Sequence, residues 1–197
     1  MEVSCVLAAA CLLLFCGSSC SRNVICFYTN WAQYRSGSAS FTVSKIDPTL
    51  CTHINFAFAK LDGNNIAEYE YNDKEMWKQL NDLKQTNPSL KTFLSVGGAT
   101  LGHGPFSNMV FTKENRIAFI NSAIAVLRSF SFDGLDVDWE FPTATDKQNL
   151  KLFTQEVSEA FKMEGQNTSR SPLLLSFCVP AGLSTIDSGY DVGAMNR

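Results

Sequence analysis

Phe132-Asp133-Gly134-Leu135-Asp136-Val137-Asp138-Trp139-Glu140-Phe141-Pro142 is the stretch on which the reading of the fold turns. Its apolar and acidic residues alternate, as they do in a strand whose side chains point to opposite faces in turn. Asp136, Asp138 and Glu140 therefore share one face, with successive Cα atoms about 6.6–7 Å apart. Leu135, Val137 and Trp139 take the other face and are expected to pack under helices. Three acids on one face of a buried strand repel each other and resist desolvation, which raises at least one pKa and holds a proton near neutral pH. A glutamic acid in that state is what general-acid chemistry requires. The same residues also suit a divalent cation, a solvated face, or structural pairing with basic side chains. A solvated face fits poorly between apolar strands.

Working outward, four more short runs rich in β-formers flank this one: residues 24–27, 53–59, 92–96 and 173–179. Helical spacing fills the later gaps. Met76, Leu80 and Leu83 form one stripe, with Asn72 and Glu75 as a candidate start. Ile117, Ile120, Ile124 and Leu127 form a second, with Thr112 as a cap, and Leu150, Phe153, Val157 and Phe161 a third. Strand followed by helix implies parallel strands and crossover connections. An open doubly wound sheet and a (β/α)8 barrel both satisfy that order, and periodicity does not separate them. No glycine-rich loop follows the first strand, which weakens a dinucleotide-binding sheet. Carboxylates near the end of a strand favour the barrel, whose active sites lie at the carboxyl ends of its strands.

The chain has 197 residues, 45% of them hydrophobic, 15 of them Phe, and a formal net charge of −3. That composition supports a packed core, and with no basic cluster it argues against a nucleic-acid partner. Residues 6–15 are apolar and are followed by Gly17, Ser18 and Ser19, the pattern of a secretory signal peptide spanning residues 1–21. Glu2 and the lack of Lys or Arg before the apolar run depart from that pattern and keep a retained anchor or a buried strand as alternatives. Secretion permits disulfides. Cys26 lies in the first strand and Cys51 just before the second, so neighbouring strands bring them together. The bridge would contribute roughly 3 kcal/mol in the chain-entropy account. Cys178 is left as a buried thiol. Asn167-Thr168-Ser169 is a glycosylation sequon, expected on a surface loop.

The acid stretch also resembles a family signature. Asp133, Asp136, Asp138 and Glu140 fit D-x-x-D-x-D-x-E of the glycoside hydrolase family 18 chitinases and chitinase-like proteins. Ser95-Val96-Gly97-Gly98 fits the family's S-x-G-G motif, and Tyr28-Thr29-Asn30-Trp31 and Cys51-Thr52-His53 look like the secreted animal members. The likeness covers essentially residues 23–197. It implies a TIM barrel, of which residues 22–197 would hold about the first five strands as an incomplete catalytic domain. It implies hydrolysis of chitin or chito-oligosaccharides by a substrate-assisted route, with no cofactor and no metal. The product would be secreted, free of the membrane once its signal is cleaved, and monomeric when complete. In this likeness Glu140 is the general acid, Asp138 orients the substrate's acetamido group, Asp136 shares a proton with Asp138, and Asp133 is structural. Tyr28, Phe58, Gly97, Gly98 and Trp31 match positions around the sugar, while His53 reads as structural.

The chain departs from that family in three places. Ala99-Thr100-Leu101 follow the two glycines where relatives carry Trp, which removes a stacking platform. The loop after Pro142 is short. A barrel of this kind takes about 250 residues, and the M-x-Y-D motif of the sixth barrel strand and the Trp of the eighth are not among these residues. The chain by itself is therefore expected to be a weak or inactive hydrolase. A chitinase-like lectin that binds without cutting is the alternative.

Overall fold

A computed structural model describes residues 22–195. The apolar segment at residues 6–15 and its candidate cleavage region lie outside the described residues. Among the described residues no helix is long and apolar enough to cross a membrane.

Five parallel strands lie side by side in chain order: β1 (Ile25–Thr29), β2 (His53–Asp62), β4 (Lys91–Gly97), β5 (Gly134–Asp138) and β6 (Leu174–Phe177). The short β3 (Asn65–Ala67) folds back antiparallel on the end of β2. Helices α1 (Asp73–Asp82), α2 (His103–Phe111), α3 (Lys113–Ser129) and α4 (Lys147–Thr168) fill the connections, and α5 (Leu183–Gly189) and α6 (Val192–Met195) follow β6. Consecutive parallel pairing with helical crossovers is the arrangement of a (β/α)8 barrel, here its first five strands. The doubly wound alternative needs the strand order to reverse from a central strand, and no reversal occurs in this sheet.

The strands divide their side chains between two environments. Tyr28, Phe56, Leu94, Val96, Leu135 and Val137 are buried on the helix side. There Trp77 of α1 meets Phe56 edge-on, with ring centroids 6.2 Å apart. The opposite face is ordered in rows by the strand register. Phe27, Asn55, Phe93, Gly134 and Leu174 are neighbours in one row, and Thr29, Ala57, Ser95, Asp136 and Ser176 in the next. The polar row lies nearer the carboxyl ends. Removing the buried apolar face from water supplies the main drive to fold, at about 25 cal/mol per Å² of apolar surface.

Several expectations are corrected at this level. Asn72 makes no capping bond to α1; its amide instead donates to Gln33 Oε1 at 2.8 Å. Asp73 gathers the free N–H groups of Tyr69 and Glu70, at 2.7 and 2.8 Å, so one carboxylate ties the turn before α1. Ile117 is 45% exposed, and Phe119 and Ala123 take its place in the core of α3. The stripe is displaced because α3 packs against both β5 and α4, turning a wider face inward. Thr112 does cap α3, accepting from Asn115 N at 3.2 Å. Asn167 is exposed in the last turn of α4, not in a loop. Cys26 and Cys51 form a disulfide, with Cα atoms 6.1 Å apart. The β1–β2 register sets Ile25 beside His53, so the residues just before β2, Cys51 among them, lie near the start of β1.

Candidate active site

The site begins at the seam between β4 and β5. Ser95 sits beside Asp136 in the register, and its hydroxyl donates to Asp136 Oδ2 at 2.6 Å. From the other side Ser176 Oγ donates to Asp136 Oδ1, also at 2.6 Å. The Cys178 thiol faces Oδ2 at 3.6 Å. Asp136 is 2% exposed, so these donors replace the water it lost on folding. Cys178 is half-buried against this carboxylate, which corrects the expectation of a thiol sealed in an apolar run. Burial, and then the charges of Asp136 and Asp138, push its pKa well up.

Asp138 is the next acid on the same face. Burial comes first, followed by the charges of Glu140 and Asp136, and together they push its pKa up to about 6. The mutual repulsion expected of the three acids is thus expressed at Asp138. The strand ends there, and Glu140 stands two residues further on, in a bend that Trp139 anchors. Trp139 is buried and stacks on Phe106 of α2, with centroids 5.5 Å apart. The peptide joining Glu140 to Phe141 is cis, as is that joining Ala57 to Phe58.

Two glycines let β4 close on this segment. Gly97 has φ +123°, and a Cβ there would lie 2.1 Å from the Asp138 carbonyl oxygen. Gly98 has φ +79° and donates its N–H to the same carbonyl at 2.9 Å. A Cβ on Gly98 would strike the Phe58 ring at 2.6 Å. Only glycine permits both the positive φ and this approach. Phe58 occupies a register shift in β2 and stacks on Trp31, with ring centroids 5.9 Å apart.

These elements enclose a cleft of about 470 Å³, lined by Asn30, Trp31, Phe58, Tyr69, Glu70, Gly97, Ala99, Thr100 and Glu140. Trp31, Phe58 and Tyr69 make part of the lining aromatic, and Ala99 and Thr100 make part of it small. Glu140 is half-buried at its edge. The cleft therefore joins flat apolar faces, suited to the faces of sugar rings, to a carboxyl group able to transfer a proton.

Asp133 belongs to the opposite end of β5. It is bound by Lys84 Nζ at 2.6 Å, Lys91 Nζ at 3.1 Å and Thr92 N–H at 2.9 Å. Burial pulls its pKa up, but these partners outweigh it and hold the carboxyl below the usual range. It clamps the start of the strand whose far end carries the acids.

Tyr28 is the candidate that the structure moves elsewhere. It is 4% exposed and packs with Phe41 and Phe56, and its hydroxyl donates to Met76 Sδ at 3.5 Å. Phe27 holds the neighbouring place on the site face of β1, beside Asn55. Glu70, Asn30, Ser176, His103 and Tyr190 were not identified from the sequence. Tyr190 is buried with no hydrogen-bond partner for its hydroxyl among the described residues. Burial and then the charge of Asp138 push its pKa up to about 12. Among the described residues no three His, Cys, Asp or Glu side chains are grouped to hold a metal ion.

The chain is similar to known proteins in sequence and in fold. Residues 23–197 match the model of glycosyl hydrolases family 18. The chain is 42% identical to chitotriosidase-1 of Mus musculus over 177 residues, covering 87% of this chain and 38% of that protein. It superposes on an immunomodulatory active chitinase from Trichuris suis with a TM-score of 0.86 at 38% identity, covering 88% of this chain and 48% of the other. It also superposes on human YKL-39, described as a pseudo-chitinase with retained chitooligosaccharide-binding properties. There the TM-score is 0.83 at 35% identity, with the same two coverages, 88% and 48%. The chain thus spans less than half the length of these relatives.

Proposed function

The chain belongs to glycosyl hydrolase family 18, and from that membership we propose that it carries the acid machinery of a secreted chitinase-type hydrolase. Its substrate would be a β-1,4-linked N-acetylglucosamine polymer, chitin or its oligosaccharides. The observation that carries this reading is the placement of Glu140 at the edge of an aromatic cleft, in sequence with two buried acids on the same strand.

In this reading Glu140 protonates the glycosidic oxygen. The attacking group is the substrate's own acetamido oxygen, which closes an oxazolinium ring as the C–O bond breaks. Water then opens that ring with retention, giving its proton to Glu140. Asp138 faces the acetamido group, and its raised pKa supports a role in holding a proton there. Ser95 and Ser176 donate to the two oxygens of Asp136, which supports Asp138 by sharing a proton with it. Asp133 sets the strand. Phe58, Trp31, Gly97 and Gly98 shape the sugar-binding wall, and Tyr28 is dropped from that set.

Three apolar residues on the inner face, Ile25, Phe27 and Leu174, are 54%, 47% and 42% exposed. We expect weak activity from these 197 residues by themselves, because positioning the sugar accounts for much of such a barrier. The alternative reading is a chitinase-like lectin, favoured by the small wall at Ala99 and by the likeness to a pseudo-chitinase. Turnover of a fluorogenic chito-oligosaccharide separates the two. The hydrolase reading requires turnover that Glu140→Gln abolishes. Binding of chito-oligosaccharide with no turnover in any longer form of the chain would leave the lectin.

A further inference from the structure

Glu140 is followed at once by a turn that nothing in β5 holds. The strand has ended at Asp138, and Phe141, Pro142 and Thr143 lead to α4. Two groups of contacts fix this turn from outside the strand. Asp146, 3% exposed, accepts from Thr143 N–H at 2.8 Å, Thr143 Oγ1 at 2.6 Å and Ser107 Oγ at 2.6 Å. His103, the first residue of α2, reaches the same turn with both ring nitrogens. Its Nδ1 lies 3.1 Å from the Phe141 carbonyl oxygen, and its Nε2 lies 3.5 Å from Asp146 Oδ2. Its ring rests against Trp139, with centroids 5.6 Å apart. A single imidazole thus touches the residues on both sides of Glu140.

The two partners of His103 are both acceptors. A neutral imidazole carries one N–H and one lone pair, so in either tautomer one nitrogen faces an oxygen lone pair with its own. Only the imidazolium satisfies both, as a hydrogen bond to the Phe141 carbonyl and an ion pair with Asp146. Asp146 is the charged group that faces the ring, since Ser107, Thr143, Phe141 and Trp139 are neutral. The charge of His103 in turn helps hold Asp146 below its usual range, where burial alone would raise it and the Ser107 and Thr143 hydrogen bonds lower it first.

We propose that His103 is a positioning residue for Glu140, whose imidazolium clamps the Phe141 carbonyl and the Asp146 carboxylate and so fixes the turn that presents the acid. The clamp is complete when both nitrogens carry protons, and a neutral ring that keeps the Phe141 hydrogen bond loses the ion pair with Asp146. The placement of Glu140 then depends on the protonation of a group that is not one of the strand acids. The proposal rests on the reading of Glu140 as the general acid.

The deciding measurement is hydrogen exchange of the full chain, read by mass spectrometry over residues 139–146. Wild type is compared with His103→Gln, which keeps one uncharged donor group, and His103→Ala, which keeps none. Exposed ion pairs are worth at most about 1 kcal/mol, or about fivefold in an opening equilibrium. At pH 5.5 the Thr143 and Asp146 amides should exchange about three- to fivefold faster in His103→Ala than in wild type, with His103→Gln between them. At pH 8.0, after correction for intrinsic exchange, the gap between wild type and His103→Gln should close. Equal exchange in all three proteins at both pH values would overturn the proposal, as would a gap that does not change with pH. Turnover is read in parallel against Glu140→Gln. Loss of protection in His103→Ala while Glu140→Gln keeps full turnover would overturn the general-acid reading and leave the clamp standing.

Discussion

Ser95 of β4 donates its hydroxyl to Asp136 of β5 across one register step, at 2.6 Å. That bond joins the serine of the glycine motif to the middle acid of the acid motif. Two signatures about forty residues apart in the chain are therefore one device in space. Removing the hydroxyl leaves a buried carboxylate oxygen with only a weak thiol donor. Ser95→Ala should cost about 1–3 kcal/mol of stability, read as a lower urea midpoint at unchanged slope. The double variant with Ser176→Ala should lose more than the two single losses added, because the second change strips the remaining hydroxyl donor from the same carboxylate. A neutral Ser95→Ala would show that Asp136 does not depend on this donor.

Asp138 gives stability a pH dependence of definite sign. Its pKa rises from 3.8 to about 6 on folding. Below pH 3.8 it is protonated in both states and costs nothing. Between 3.8 and 6 the folded chain keeps a proton that the unfolded chain releases, so stability falls as pH rises. Above 6 the penalty is constant. Asp138→Asn removes it. The variant should match wild type near pH 3.5 and exceed it at pH 7 by roughly 1–3 kcal/mol, the upper value being the whole shift. Taking the difference between the two proteins cancels the carboxylates remote from Asp138, while Glu140 and Asp136 stay coupled to it. A difference that does not vary with pH would refute the assignment.

Glu140→Gln preserves size and removes the transferable proton. Turnover of a fluorogenic chito-oligosaccharide should fall by at least about 10²-fold, the usual scale of general-acid catalysis. Binding of the unhydrolysed oligosaccharide should persist, since the aromatic wall of Trp31 and Phe58 is unchanged. Retained turnover would remove Glu140 from its role.

How much of this was legible in the sequence follows from which residues carry an unambiguous period. Asp136 and Asp138 could be placed on one face because apolar residues alternate with them. Phe27 and Tyr28 could not be phased in that way, since both are aromatic and β1 is short. The register with β2 decides, and it sends Tyr28 to the helix side. Ile117 was misplaced for a related reason: a helix packed on two sides buries a wider face than one stripe shows. His103 and Asp146 left no signal at all. They lie 43 residues apart in number and meet only because α2 and the turn after β5 converge on Trp139. The disulfide was readable because parallel strands in sequence order place their starts together.

Gly97 tests the close approach at the seam directly. Its substitution by Ala would put a Cβ 2.1 Å from the Asp138 carbonyl oxygen, which belongs to backbone and cannot swing aside. Gly97→Ala should lose roughly 3 kcal/mol or more, or fail to accumulate as folded protein. Gly104→Ala is the control, because a Cβ there meets nothing within 4 Å. Inside α2 it should be neutral or stabilising by up to about 1 kcal/mol. Thermal unfolding of the two variants beside wild type measures both effects, and similar midpoints would mean that β4 and β5 are free to separate.

Cys178 offers a chemical probe of the acid face. The thiolate is the reactive form of cysteine. Here burial comes first, then the charges of Asp136 and Asp138, and all three disfavour the thiolate. Cys26 and Cys51 are joined to each other, so among the described residues Cys178 is the thiol available for labelling. In native protein at pH 8 it should react with iodoacetamide at least about tenfold more slowly than in urea, because its thiolate fraction is depressed and the fold covers it. Asp138→Asn removes one of the opposing charges and should speed native labelling while leaving the rate in urea unchanged. That pairing separates electrostatics from simple cover, since the substitution changes charge with little change in shape. Native labelling as fast as in urea, confirmed by peptide mapping at Cys178, would mean that the thiol does not lie against the carboxylates. Labelling that is slow but indifferent to Asp138→Asn would assign the protection to burial alone.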